Sequence, residues 1–368
     1  MKRTAYNYVN RGLVGLLMLF WGVVLRAQTP QDVQYTFTEA SSLTMLGQLL
    51  PGNPNPYHRV DTVRFKGFTA GENTQVRQSA GLVCAFRTNS TTISVRAEFG
   101  QASGGYSGGG FDLYIRDEKG RWTWAGDGVG RSNDPNYNLV LIRDMDGSEH
   151  DCLIYFPLFS EIRSMKVGVQ QGASLTALPN PFRHRIAFFG SSFTHGVSTS
   201  RPAMNYPSQL SRATGLHILN LGCSGNCKLQ PYFCDVLCAA DADAFVFDTF
   251  SNPTIPEIEE RLFPFIEKLQ AAHPGKPLIF QRTIYRERRN FNVATEKFER
   301  ARQERAAELM KEAMKRYKDV YYIETTNATS PTHETSVDGT HPGDYGYTLW
   351  AESLRKPLLK ILRKYGIK

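Results

Sequence analysis

Two patterns of apolar and polar positions divide the chain near residue 180. In the first, apolar residues come in short runs. TVRFKGF (62–68), TTISVRAEF (91–99), FDLYIRD (111–117), RWTWAGD (121–127) and CLIYFPLF (152–159) are rich in β-branched and aromatic residues, with Gly, Asn, Asp and Pro between them. Short strands at this spacing predict an all-β sandwich or jelly roll over residues 28–178. GQASGGYSGGGF (100–111) predicts a glycine-rich loop, and the prolines of TALPNPFRHR (176–185) mark a linker.

From Arg185 the pattern changes. Apolar runs of strand length are RIAFFG (185–190), LHILNLG (216–222), AFVFDTF (244–250), PLIFQRT (277–283) and VYYIET (320–325). They alternate with stretches of helical period: 206–215, 231–240, 255–273, 296–317 and 347–365. The first of these helices stops at Gly215, a C-terminal cap. Five strands alternating with helices predict an α/β fold over residues 179–368, a flavodoxin-like, three-layer α/β/α domain with a parallel five-stranded sheet. Sites in such sheets form beyond the carboxyl ends of the strands.

Residues 1–27 read as a secretory signal peptide. Lys2, Arg3 and Arg11 make a positive start, Gly12–Leu25 is an apolar run of 14 residues, and Ala27 precedes a polar start at Gln28. The run is short for a membrane span of about 20 residues. An uncleaved anchor is the competing reading, because Leu25 stands where a small residue is preferred. The chain is therefore expected in the periplasm, on the outer surface or secreted, with no stable membrane span after cleavage.

Removing Lys2, Arg3, Arg11 and Arg26 with the leader lowers the formal charge from +8 to +4. That is too mild to point to nucleic acid. The cluster Arg282, Arg286, Arg288, Arg289 and the Lys/Arg-rich last helix read as solvated faces. Six cysteines (Cys84, Cys152, Cys223, Cys227, Cys234, Cys238) invite one or two disulfides in an exported protein, with buried free thiols as the alternative. The last four lack the C-x2-C knuckle and a nearby histidine, which argues against zinc. No metal or cofactor is expected.

The strand-end rule gathers the candidate chemistry. After the first, second, third and fifth strands come Gly190-Ser191-Ser192, Leu221–Asn226, Asp248–Asn252 and Asp338–Pro342. A serine hydroxyl needs a base to become a nucleophile, and the base needs a carboxylate to orient it. Asp338 and His341, three apart, can carry both on one short segment. Acyl transfer also needs donors at the developing oxyanion, which Gly225 N–H, the Asn252 amide and the serine's own N–H can supply. Taken singly, each has a plainer reading. Ser192 would cap a helix, His341 would be a surface or satisfied histidine, Gly225 a turn residue and Asn252 a loop brace. His195 reads as a pocket-rim or solvated side chain.

Together these blocks resemble the SGNH, or GDSL-type, hydrolase family. Gly190-Ser191-Ser192-Phe193 is similar to its Gly-Asp-Ser-Leu block, Gly225 in CSGN to its second-block glycine, Asn252 to the asparagine of Gly-x-Asn-Asp, and Asp338-x-x-His341 to its last block. GGFDLYIRD (109–117) resembles the Gly-x-Asp-Leu-Tyr signature of a β-rich domain that precedes some bacterial members, and SRPAMNYP (200–207) fits that subgroup. The resemblance implies Ser192 as nucleophile, His341 as base and Asp338 as its orienter. Ser192 N–H, Gly225 N–H and the Asn252 amide would form the oxyanion hole. Ser191 stands where the first block has aspartate, and Pro253 where the third does.

The expected function is an exported serine esterase acting on small acyl esters, acetyl above all, such as O-acetyl groups on a glycan. A lipid or phospholipid esterase of the platelet-activating factor acetylhydrolase kind, and a carbohydrate-binding surface protein with a degenerate hydrolase domain, are the alternatives. Asp112 and Tyr114 read as strand packing and hydrogen bonding rather than ligand contacts. Trp122 and Trp124 share a strand face and read as core rather than a sugar platform.

Overall fold

The computed structural model describes residues 33–50, 52–102, 109–129, 134 and 136–368. The expected leader and the middle of the glycine-rich loop lie outside the described residues. The first half holds strands β1 (Tyr35–Glu39) and β2 (Thr44–Leu46), helix α1 (Ala70–Arg77), then β3 (Val83–Thr88), β4 (Ile93–Ala102), β5 (Gly110–Arg116), β6 (Trp122–Val129), β7 (Leu139–Ile142), β8 (His150–Tyr155), β9 (Ser160–Gln170) and β10 (Leu175–Ala177). They form two antiparallel sheets, in the orders β1-β9-β4-β7 and β10-β3-β8-β5-β6, with β2 also paired to β3. One apolar core joins the facing sides: Cys84, Phe86, Phe111 and Ile154 from one sheet meet Ile93, Val95, Ile162 and Val167 from the other. This is a sandwich.

The larger sheet buries its second face as well. Val83, Ala85, Tyr114, Leu153 and Tyr155 point away from the sandwich core and pack on Leu178, Phe182 and Ala203. Burial on both sides explains why VCAF and CLIY read as unbroken apolar runs rather than as alternation.

The second half alternates β11 (Arg183–Gly190), α2 (Ser192–His195), α3 (Tyr206–Thr214), β12 (Leu216–Gly222), α4 (Pro231–Cys238), β13 (Ala244–Asp248), α5 (Ile255–Ala272), β14 (Leu278–Gln281), α6 (Val293–Arg316), β15 (Val320–Ile323) and α7 (Asp344–Leu362). The sheet is parallel, in the order β12-β11-β13-β14-β15. Successive residues alternate between its faces. Phe189, Leu221, Phe247 and Phe280 meet α4, α5 and α6, while Phe188, Ile218, Val246 and Ile279 meet α3 and α7. The three-layer α/β/α arrangement follows. No helix among the described residues is long and apolar enough to cross a membrane.

Two expectations need correction, and for the cysteines one of the two open readings is selected. TVRFKGF is not a strand. Asp61 Oδ1 accepts from Val63 N and Arg64 N at 2.8 and 3.2 Å, which turns the chain there. The segment then leads into α1, so the first half is not all-β. Thr69 and Glu72 cap α1 reciprocally, a signature visible in the sequence as Thr-x-x-Glu. Trp124 is 48% exposed and not core, whereas Trp122 is partly buried against Phe182. The six cysteines are free thiols, five of them buried.

Asp112 of the Gly-x-Asp-Leu-Tyr signature ties the halves together. Its fully buried Oδ2 accepts from Arg201 Nη1 at 2.8 Å and from Ala203 N at 3.2 Å, while Arg201 Nη1 also donates to Tyr114 Oη at 2.7 Å. Truncating one partner strands a charge in an apolar setting. Arg201→Ala is expected to cost about 3–5 kcal/mol in urea unfolding. Asp112→Ala added to it should cost much less than its own single effect, and full additivity would show that the pair is not coupled.

Candidate active site

β11 ends at Gly190, where a Cβ would lie 2.0 Å from Thr194 Oγ1, so only glycine allows this tight passage into α2. The two serines that follow do different work. Ser191 caps α2: its Oγ accepts from Phe193 N at 3.3 Å and donates to Asp248 Oδ2 at 2.7 Å. Ser192 begins the helix, and its Oγ lies 2.9 Å from His341 Nε2. The cap is therefore Ser191, and the serine brought to the imidazole is Ser192.

His341 Nδ1 lies 2.7 Å from Asp338 Oδ2. Asp338 Oδ1 accepts from His341 N at 2.7 Å and from Thr340 N at 2.8 Å. Partial burial pushes this carboxyl up, but the bonds from the His341 backbone and ring and from Thr340 N–H outweigh it, holding it at about 2. An ionised Asp338 places the ring proton on Nδ1 and leaves Nε2 free to accept from the Ser192 hydroxyl.

The segment carrying this pair is braced from β14's far end. Glu287 Oε1 accepts from Thr335 N and Oγ1 at 2.9 and 2.8 Å, and its Oε2 from Ser336 N and Oγ at 2.9 and 2.6 Å. Burial pushes the Glu287 carboxyl up, and these four donors bring it below the usual range. Arg288 donates from N to Gly339 O at 2.7 Å and from Nη2 to Asp338 O at 3.3 Å. Arg286 and Arg289 are ion-paired with Glu299 and Glu296. The arginine cluster is thus not simply a solvated face: Arg288 braces the Asp338 loop, and Arg286 and Arg289 are tied to α6.

Gly225 adopts φ +74°, the left-handed region that suits glycine. Asn252 Oδ1 accepts from Cys227 N at 3.3 Å, tying this asparagine to the Gly225 loop while its Nδ2 stays uncommitted. Among the described residues, Ser192 N–H, Gly225 N–H and Asn252 Nδ2 donate to no protein acceptor. They are the three groups that the sequence singled out as oxyanion donors.

His195 is fully buried, which corrects the expectation of a rim or solvated side chain. Its Nε2 lies 2.8 Å from Leu158 O, its Nδ1 accepts from Ser224 N at 3.4 Å, and its ring stacks on Phe159 at 4.0 Å. Burial, and then the Arg59 charge, push its pKa well down, so it is neutral with the proton on Nε2.

The sequence placed Asp248 in the third strand-end cluster but gave it no role. Its Oδ2 accepts from Ser191 N, Ser191 Oγ and Thr194 Oγ1 at 3.2, 2.7 and 3.1 Å. A polar residue ending the apolar run AFVFD was the available signal. A file of donors leads to it: Trp350 Nε1 to Gln281 Oε1 at 2.9 Å, Gln281 Nε2 to Tyr206 Oη at 3.0 Å, and Tyr206 Oη to Thr194 Oγ1 at 2.8 Å. Burial raises the Asp248 carboxyl to about 6 against these donors. Gln75, Arg59 and Glu287 were missed, and nothing in their local sequence marks them. No group of three or more potential metal-ligating side chains occurs among the described residues.

Comparison with known proteins agrees with this architecture. Residues 183–359 match the family model described as GDSL-like lipase/acylhydrolase, and residues 33–175 match the GxDLY model, the N-terminus of SGNH-hydrolase-type esterases. A crystal structure described as a GDSL-like lipase, from Bacteroides ovatus, is 33% identical with a TM-score of 0.84, covering 90% of this chain and 98% of that one. A salicylyl-acyltransferase from a tetracycline biosynthetic pathway shares the fold at 18% identity and TM-score 0.70, covering 91% and 99%. A family two carbohydrate esterase from Cellvibrio japonicus does so at 10% identity and TM-score 0.57, covering 90% and 98%. No curated protein shows significant sequence similarity. The fold is that of a carboxylic ester hydrolase. The chain belongs to the GDSL-like lipase/acylhydrolase family, with a GxDLY domain ahead of the hydrolase fold.

The raised Asp248 carboxyl has a measurable consequence. The folded protein holds its proton from the unfolded value near 3.8 up to about 6, so stability falls as pH rises through that window and is level above it. The loss is up to about 3 kcal/mol. Urea unfolding at intervals across the window should show this limb in the wild type and its absence in Asp248→Asn. An unchanged limb in the variant would assign it to another group.

Proposed function

We propose that this protein is an exported serine esterase that hydrolyses small acyl esters, acetyl esters first among them, with an O-acetylated glycan as the substrate class. The observation that carries the reading is the continuous relay from Ser192 Oγ to His341 Nε2 at 2.9 Å and from His341 Nδ1 to Asp338 at 2.7 Å. The two-domain organisation, residues 28–178 and 179–368 after a leader of 27, belongs to the proposal. The glycan follows from export and from an architecture shared with the Cellvibrio japonicus carbohydrate esterase.

In this mechanism Ser192 Oγ adds to the ester carbonyl as His341 Nε2 takes its proton. Asp338 stays ionised, fixes the imidazole tautomer and stabilises the imidazolium. The carbonyl oxygen becomes an oxyanion and draws on Ser192 N–H, Gly225 N–H and Asn252 Nδ2. The ester C–O bond then breaks, and His341 returns the proton to the departing alcohol. Water attacks the acyl-Ser192 ester with His341 again taking the proton, and the free acid and the serine hydroxyl are regenerated.

Ser192→Ala is expected to lower kcat on p-nitrophenyl acetate by at least about 10,000-fold, and Asp338→Asn by roughly 100- to 10,000-fold. Turnover that persists in Ser192→Ala would sink the assignment. Comparing acetyl with longer acyl esters, and acetylated sugars with phospholipids, checks the substrate class. A preference for phospholipid overturns the glycan reading. Mass spectrometry of the exported protein should find Gln28 at its N-terminus.

A further inference from the structure

The β-rich half reaches into the site through one side chain. Gln75 lies on α1, on the face shared with Glu72 and Val76. Val76 joins the core of the hydrolase half, and Glu72 accepts from Gln230 Nε2 and Tyr232 Oη at 3.0 and 2.9 Å. This anchored face sets Gln75 against the loop that holds Gly225. Gln75 Nε2 donates to Ser224 O at 2.9 Å, and its Oε1 accepts from Asn226 Nδ2 at 3.0 Å. One amide thus grips the residues on either side of the glycine.

Ser224 O and Gly225 N–H belong to one peptide group, which is planar and trans, so they point in opposite directions. A donor that holds Ser224 O on the α1 side turns Gly225 N–H to the other side. The preceding peptide is held as well, because Ser224 N donates to His195 Nδ1 at 3.4 Å and His195 is anchored on Leu158 O, also from the β-rich half. Within the loop, Asn226 N donates to Cys223 O at 3.0 Å and Asn226 Nδ2 to Ser224 O at 3.1 Å, so Gln75 holds this peptide twice, directly at Ser224 O and through the Asn226 amide that its Oε1 fixes.

We propose that Gln75 is a positioning residue for the oxyanion hole, and that the β-rich half completes the active site through it. The proposal rests on Gly225 N–H being an oxyanion donor in the reading above. Oxyanion donors act by being preorganised, so a peptide free to rotate loses rate without losing ground-state binding.

The test compares Gln75→Ala and Gln75→Glu with the wild type on p-nitrophenyl acetate, with thermal unfolding measured alongside. Glutamate keeps the acceptor for Asn226 but sets a carboxylate oxygen against Ser224 O. Both variants are expected to lose about 10- to 100-fold in kcat at about pH 8, short of the roughly 100- to 1,000-fold cost of deleting a donor, with KM within about twofold. Inhibition by phenylboronic acid, which forms a tetrahedral adduct on a serine, should weaken by a comparable factor. The ratio of Gln75→Glu to wild-type kcat should rise as pH falls towards about 5, where the introduced carboxyl takes up a proton and can again donate to Ser224 O. A purely structural brace would move thermal unfolding and KM and leave that ratio flat. If Gln75→Ala does not fold, the isosteric Gln75→Glu carries the test. Wild-type kcat in the Gln75 variants beside an inactive Ser192→Ala overturns the positioning role alone. Turnover surviving in Ser192→Ala overturns the reading of the site on which it rests.

Discussion

Asp248 ends the central strand of the parallel sheet with a carboxylate that is 1% exposed, and the groups that make this tolerable also shape the site. A buried charge is strongly unfavourable unless it is hydrogen-bonded. Here the donors are Ser191 N, Ser191 Oγ and Thr194 Oγ1. They lie in the turn that delivers Ser192, so satisfying Asp248 and orienting the first turn of α2 are one event. The same requirement accounts for Ser191 in place of the family's aspartate. A carboxylate at residue 191 would sit at hydrogen-bond distance from a second, buried one, and like charges so placed cannot both ionise. A hydroxyl donates instead, and the substitution that made the motif look degenerate is matched to its partner.

The second constraint is the seam between the halves. Arg59, 1% exposed, donates to Gln78 O at 2.8 Å, to Gln75 O at 2.5 Å, and to Asn220 O and Gly222 O at 3.3 and 2.8 Å. Its charge is spread over backbone carbonyls at the end of β12, where the Gly225 loop begins. Asp112 with Arg201, His195 with Leu158, and Gln75 with Ser224 cross the same seam. Each of these hydrogen bonds is lost if the halves separate, so the β-rich half is fastened to the hydrolase half and is not a tethered module.

Much of this was legible in the chain. Apolar runs of strand length alternating with helical periods determined the order of β11–β15 and the parallel sheet, because a buried strand needs both faces apolar and its crossover needs an amphipathic helix. Polar clusters directly after those runs determined which residues could meet at the sheet's rim. What stayed hidden was set by contacts distant in sequence. TVRFKGF has the composition of a strand, but Asp61 turns it and Thr69 caps the helix beyond. Trp124 alternates with Trp122 like a core residue, yet the strand leaves it half-exposed. His195 looked solvated until Leu158 and Phe159 covered it. Gln75 and Arg59 have no local signature, because their roles rest on hydrogen bonds to backbone more than 140 residues away in the chain, and Asp248 is marked only as the polar end of an apolar run. Local patterns reflect burial and period, so the sequence by itself determined the strands, the helices and the candidates at their ends. Which serine caps and which meets the imidazole, and what holds the Gly225 peptide in place, were decided only when the chain closed on itself and every buried donor and acceptor had to find a partner.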